Sequence, residues 1–384
     1  SLTSHSINFK NFSKSLEQLR KGKSEVAGKI FFNQFIDRTF QLKFEEAATE
    51  QIPFRIQGIH AAKLIDRKLI EICYMPFRYP AIPAAMESNI LIARNHSLFD
   101  FEPALFNKAQ KKIIDQRVEN YQTILTEHPE LNFYLFYVER IQFSKFHPLA
   151  DEYIFADRGR SYLYFLANKP QHLNLATLML STYQDRLDNF YKTDHHWNIH
   201  GILKAYEIIH AQLGKNYPDI SPMLEHDKIV TFPDIKFYGS LARKTFYPIQ
   251  GENFEVAKIN FPEYKLFLSG EEFQDFKQDD YFSGKYSKEI YTAHYAEFFG
   301  RDYGLLEYRF FNDSNRNLLI IGNSYANPLE PMIAAHYHIT YSLDFRHVKD
   351  FSLNEFLSTH PVDDILIIGD NNVVFEDLVW SINP

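Results

Sequence analysis

The run Leu318-Leu319-Ile320-Ile321, closed by Gly322, constrains this chain more than any other segment. Four consecutive large aliphatic residues leave no polar face, so the run reads as a strand buried on both sides, the situation in a parallel sheet covered by helices. Gly322 permits a sharp turn and leaves Ser324 at the strand's carboxyl end, where ligands and reacting groups collect in an open α/β sheet. Pro328 and Pro331, followed by Met332, Ile333 and Ala335, predict a helix start after the serine, whose backbone donors would face a developing oxyanion.

A serine hydroxyl is a poor nucleophile until an imidazole takes its proton, and the imidazole works best when a carboxylate fixes its tautomer. Thr193-Asp194-His195-His196-Trp197 supplies both partners from one loop, because Asp194 and His196 are two positions apart. Ser324, His196 and Asp194 are therefore the candidate nucleophile, base and orienting acid. A metal site is the competing reading, since His196 and His200 have the spacing of one helical face. No Glu follows the first histidine and no further Cys or His cluster completes a ligand set, so no metal is expected. Trp197 reads as largely buried.

Around these segments the pattern alternates. A helix through 106–125 precedes a strand at Phe133–Val138. A helix near 161–167 precedes a strand at 175–180. Asn198 caps a helix whose Ile199, Ile202, Tyr206, Ile209 and Leu213 form an apolar stripe, ended by Gly214 and Pro218. After Ser324, strands at 339–343 and 365–368 flank a helix at 353–358. The α/β alternation is read as starting at Ile90-Leu91-Ile92. Residues 1–80 read as an N-terminal helical arm, with Ala61, Leu64, Ile65, Leu69 and Ile72 on one apolar face. Residues 81–384 read as the catalytic domain. Within it, 218–300 is a β-rich insertion of short aromatic segments such as Ile235–Tyr238 and Tyr264–Leu268, suited to stacking on sugar rings or to packing among themselves.

Composition sets bounds. A chain of 384 residues with 45% hydrophobic content buries a large core. A formal net charge of -8 and a pI near 6.1 argue against a nucleic-acid partner, which needs clustered Lys and Arg. Cys73 is the only cysteine, so no intramolecular disulfide forms. No run of about 18 apolar residues marks a membrane helix.

Thr-Asp-x-His-Trp followed by a helix resembles the signature of the DHHW proteins and the alginate O-acetyltransferase family, both similar to SGNH hydrolases. In those relatives the Asp-x-His pair precedes the serine, the reverse of ordinary SGNH esterases, and Asp194, His196 and Ser324 keep that inverted order. Ile52-Pro53-Phe54-Arg55, Phe136-Tyr137-Val138-Glu139-Arg140 and Leu343-Asp344-Phe345-Arg346 resemble further family stretches, so the likeness spans roughly residues 40–380. Two positions depart from the pattern. Asn323 stands where the family places an acidic residue, and Gly369-Asp370-Asn371-Asn372 stands where SGNH enzymes carry Gly-x-Asn-Asp.

The resemblance implies an SGNH-hydrolase-like three-layer α/β/α domain with an N-terminal helical arm and a β-rich insertion. It also implies an extracytoplasmic O-acyltransferase, most simply an O-acetyltransferase, that modifies a cell-surface polysaccharide through a serine acyl-enzyme and needs no cofactor. The acyl donor would come from a membrane-bound acyltransferase partner, and an N-terminal membrane helix outside this sequence would tether the protein. Oxyanion and substrate-binding candidates are the backbone of Ser324, Asn371, Asn372, Tyr325 and Arg346. Arg346 pairs alternatively with Asp344 or Asp350, and Glu139 and Arg140 line the cleft or pair with each other. The same triad also fits a carbohydrate esterase, and loss of turnover would leave a polysaccharide-binding protein.

Overall fold

The computed structural model describes residues 55–374, apart from 75–80, 86–87, 102–105, 148–158, 247–250, 274–277, 301 and 349–350. Most of the predicted N-terminal arm, residues 1–54, and Ile52-Pro53-Phe54 of the family-like stretch lie outside the described residues. Two compact units are distinguished, Ser1–Asp66 and Arg67–Pro384. The helix Arg55–Tyr74 is present, but Leu64, Ile65, Leu69 and Ile72 of its predicted apolar face are exposed while Ile70 is buried.

In chain order the strands are β1 (Ala81–Pro83), β2 (Ile90–Ala93), β3 (Leu98–Asp100), β4 (Asn132–Tyr137), β5 (Asn174–Thr177), β6 (His226–Phe237), β7 (Glu252–Ile259), β8 (Tyr264–Leu268), β9 (Glu271–Glu272), β10 (Leu305–Phe310), β11 (Asn317–Gly322), β12 (Ile339–Leu343) and β13 (Asp364–Gly369). Eight of them form the central sheet in the order β5-β4-β13-β11-β12-β10-β8-β9. From β5 to β12 the pairings are parallel, and from β12 through β10 and β8 to β9 they are antiparallel.

Strand periodicity sorts side chains onto two covered faces. Leu318, Ile320, Leu366, Ile368, Tyr134 and Phe136 meet the helix Ile199–Leu213 and the β6–β7 pair on one face. Leu319, Ile321, Ile365, Ile367, Phe133 and Leu135 meet the helices Lys108–Glu127 and Arg160–Asn168 on the other. The result is the predicted three-layer α/β/α architecture. Both faces of β11 and β13 are apolar, which is why these strands carry no alternation in sequence.

Three expectations change. Ile90-Leu91-Ile92 does not begin the central alternation; it is the middle strand of a separate antiparallel sheet, β1-β2-β3. The segment 218–300 is not wholly apart from the core, because β8 extends the central sheet through β10, and the short helices Ser240–Thr245, Gln278–Phe282 and His294–Phe299 lie within it. The serine does not open a helix: successive turns carry residues 324–329, and the helix begins at Glu330.

Candidate active site

Ser324 follows β11 at the carboxyl edge of the sheet. It stays half-exposed while Asn323 and Tyr325 beside it are buried. A Cβ on Gly322 would fall 2.4 Å from Ala326 Cβ, so only glycine lets the chain fold back this tightly. Asn323 sets the turn: its Oδ1 accepts from Tyr325 N at 3.1 Å, and its Nδ2 donates to Asp370 Oδ1 at 3.2 Å, tying the end of β11 to the end of β13. The departure from an acidic residue at position 323 therefore places an amide able to donate toward Asp370 and accept from the backbone at once.

The second loop is closed where Phe190 bridges Trp197, with Tyr191 N donating to His196 O. Asn198 then caps the helix Ile199–Leu213 by accepting from His200 N and Gly201 N, as its sequence predicts. Trp197 is fully buried, edge-on to Tyr325 at 5.5 Å. Thr193 anchors the loop to the β6–β7 region. Its carbonyl accepts from Leu241 N and Ala242 N, and its hydroxyl accepts from Gly239 N at 2.9 Å and donates to Glu252 Oε2 at 2.8 Å. Glu252 also accepts from Lys192 N and Thr193 N, both at 2.8 Å. Burial pushes the Glu252 carboxyl up against the opposing pull of these hydrogen bonds.

Across 128 positions of sequence, His196 Nε2 comes within 2.7 Å of Ser324 Oγ, and His196 Nδ1 lies 2.7 Å from Asp194 Oδ1. Burial opposes the charge on Asp194, but the imidazoles of His196 and His195 and donation from His196 and Ser240 N outweigh it and hold the carboxyl well below the usual carboxylate range. An ionised Asp194 only accepts, so His196 Nδ1 carries the proton and Nε2 is the acceptor facing the serine hydroxyl. Asp194, His195 and His196 also cluster closely enough to hold a cation. In this geometry, however, both ring nitrogens of His196 are engaged, one by Asp194 and one by Ser324. His360, a histidine that follows the serine in chain order and could compete as the base, caps the helix Leu353–Thr359 ahead of β13, at the opposite sheet edge.

The remaining candidates divide. Tyr325 is buried, and its hydroxyl donates to His195 O at 2.7 Å, so it joins the two loops. Arg346 pairs with Asp302 at 2.8 Å and with Asp344, the ion-pair alternative. Arg140 does not pair with Glu139: it reaches Asp100 at 3.2 Å and Asp370 at 3.6 Å, while Glu139 O accepts from Arg186. Asn371 is fully buried with Oδ1 accepting from Tyr137 at 2.9 Å, and Asn372 is half-buried beside it.

Sequence reasoning missed Glu252, Gly239 and Tyr295. Tyr295 stacks on His196 with ring centroids 4.2 Å apart and planes 16° from parallel. Nothing local flags Glu252 or Tyr295, since their partners are remote in sequence. A Cβ on Gly239 would meet Thr193 O at 2.3 Å, a close approach that no sequence pattern signals.

No family model and no curated protein sequence matches the chain. Among solved structures, PatB1 of Bacillus cereus with a sulfonyl adduct superposes with a TM-score of 0.62 at 18% identity, covering 77% of this chain and 98% of PatB1. A DHHW family protein from Eubacterium siraeum gives a TM-score of 0.54 at 15% identity over 76% of this chain and 93% of its own. The chain has the fold of these proteins. That DHHW-type fold is what the sequence resemblance implied. A second PatB1 structure agrees, with a TM-score of 0.56 at 19% identity over 76% of this chain and 98% of PatB1. Among the described residues no helix is long and apolar enough to cross a membrane.

Proposed function

We propose that the chain is an O-acyltransferase that moves an acetyl group onto a cell-surface polysaccharide through an acyl-enzyme on Ser324. The observation that carries this reading is the placement of His196 between Asp194 and Ser324, each 2.7 Å away. His196 Nε2 takes the Oγ proton as Oγ attacks the acyl carbon, and the imidazolium returns that proton to the leaving group as the tetrahedral intermediate collapses. In the second half the acceptor hydroxyl loses its proton to the same nitrogen, forms the new ester bond and releases Ser324. Asp194 holds the tautomer throughout and offsets the imidazolium charge.

The backbone N–H of Ser324, with an amide from Asn371 or Asn372, is the proposed oxyanion cradle. The DHHW-type fold supports an extracytoplasmic setting and an acyl donor delivered by a membrane-bound acyltransferase partner, with no cofactor in the chemistry. Water in place of the sugar would make the same site an esterase.

The test supplies an artificial acetyl ester and titrates acceptor oligosaccharides, reading the ratio of acetylated glycan to free acetate. A bound hydroxyl outcompetes water by its effective concentration, so the ratio rises with acceptor. Brisk acetate release with no glycan product at any concentration would assign an esterase. Neither release nor transfer, with glycan binding intact, would assign a binding protein.

A further inference from the structure

We infer that Tyr295 is a positioning residue for the base, its ring stabilising the charged state of His196 that forms when Ser324 is deprotonated. The inference rests on the Ser324 acyl-enzyme reading. Tyr295 lies in the six-residue helix His294–Phe299, in the segment between base and nucleophile, and is buried. Its ring lies nearly parallel to the His196 imidazole at 4.2 Å, well inside the range at which an aromatic face attracts a cation. Its hydroxyl donates to Ser324 O at 3.3 Å, so one side chain touches both the base and the nucleophile's backbone.

The helix bearing Tyr295 is itself fixed. Tyr295 packs on Phe299 at 4.9 Å, His294 Nδ1 lies 2.7 Å from the Tyr281 hydroxyl, and Phe298 and Phe299 pack on Phe254. The ring is therefore held in place rather than free to swing. A neutral imidazole gains little from an aromatic face, whereas an imidazolium gains an electrostatic attraction that increases as the site excludes water. Stabilisation realised only once the proton has moved is the kind that raises kcat rather than lowering KM.

Other groups face His196. Asp194 and His195 share its loop, the His195 ring being 3.9 Å away, and Ser324 and Tyr325 come from the serine turn. Arg243 acts on Asp194, and Arg140 and Lys244 act on His195, from neighbouring elements. Burial and the adjacent His196 hold His195 well below the ordinary histidine range, so it adds no competing positive charge at neutral pH. Asp194 and Tyr295 are thus the groups that favour charge on His196, one through Nδ1 and one across the ring face.

The experiment follows the single-turnover rate of Ser324 acylation by an activated acetyl ester against pH, in the wild type, Tyr295→Phe, Tyr295→Leu and a series with fluorinated phenylalanines at position 295. Tyr295→Phe keeps the ring and stays within about threefold of the wild-type rate. Tyr295→Leu loses about 30-fold in kcat with KM little changed, and its pH midpoint falls by about one and a half units. Successive ring fluorines preserve shape while draining the π face, so the midpoint falls stepwise with fluorine number even if the leucine variant fails to fold. A fluorine series with a flat midpoint, or a Tyr295→Phe loss equal to that of Tyr295→Leu, overturns the inference. Failure of the wild type to acylate at Ser324 would instead overturn the acyl-enzyme reading.

Discussion

Glu252 accepts from both the backbone N–H and the hydroxyl of Thr193, at 2.8 Å each, although the two residues are 59 positions apart. This clasp fixes the residue immediately before Asp194. Replacing Glu252 by Gln turns one acceptor oxygen into a donor, so a buried hydrogen bond is lost and donor is set against donor. The expected cost is about 1–3 kcal/mol in urea unfolding, with a fall in kcat as the Asp194–His196 loop loosens. Unfolding and kcat both equal to wild type would mean that the clasp is dispensable.

Gly239→Ala addresses the same loop from the other side. The new Cβ would fall 2.3 Å from Thr193 O and 2.5 Å from Asp194 Cβ, so the loop must shift. Misplacing reacting groups by about 1 Å costs ~10²-fold in rate. The variant is therefore expected to lose acylation far out of proportion to its loss of thermal stability. Proportionate losses of both would point to general unfolding instead.

Stability has two pH slopes with different owners. Glu330, buried at the start of the helix after the serine turn, has its carboxyl pushed up to about 7 by burial, although Ser342 and Tyr308 hydrogen-bond to it. A raised acid contributes stability that is complete below the unfolded value of 4.5 and lost as pH rises through about 7. Burial pushes His294 down to about 4 and His336 down to about 3, so protonating them destabilises the fold as pH falls below the unfolded value of 6.5. Between about pH 4.5 and about pH 6.5 the two effects oppose each other, so Glu330→Gln is expected to steepen the rise of stability with pH by removing an opposing contribution worth ~3 kcal/mol between its limits. Denaturant melts from about pH 4 to about pH 8 read this change, and a stability–pH profile of Glu330→Gln parallel to that of the wild type would contradict the assignment.

The core was legible because its strands are uninterrupted apolar runs: β11, β12 and β13 fall where Leu318–Ile321, 339–343 and 365–368 predict them, and Asn198 caps the predicted helix. β10 escaped notice, as its Leu306, Tyr308 and Phe310 alternate with exposed or half-buried neighbours in a stretch crowded with other aromatics. The separate sheet β1-β2-β3 misled because Ile90–Ile92 is as apolar as a core strand, and pairing partners are not written in a run's composition. The proximity of Asp194, His196 and Ser324 was readable from motif chemistry. Tyr295 and Glu252 were not, since each acts through a contact that only the fold creates.

Activation of Ser324 as a nucleophile by His196 is tested most directly by covalent trapping. A sulfonyl fluoride is the reagent of choice because a protein of the same fold has been solved with a sulfonyl adduct. Intact-mass and peptide analysis of the wild type is expected to show one adduct per chain on Ser324. Ser324→Ala should show none, and His196→Ala should slow labelling by ~10³-fold or more while remaining folded. Labelling of Ser324 at the wild-type rate in His196→Ala, or an adduct on a different residue, would contradict it.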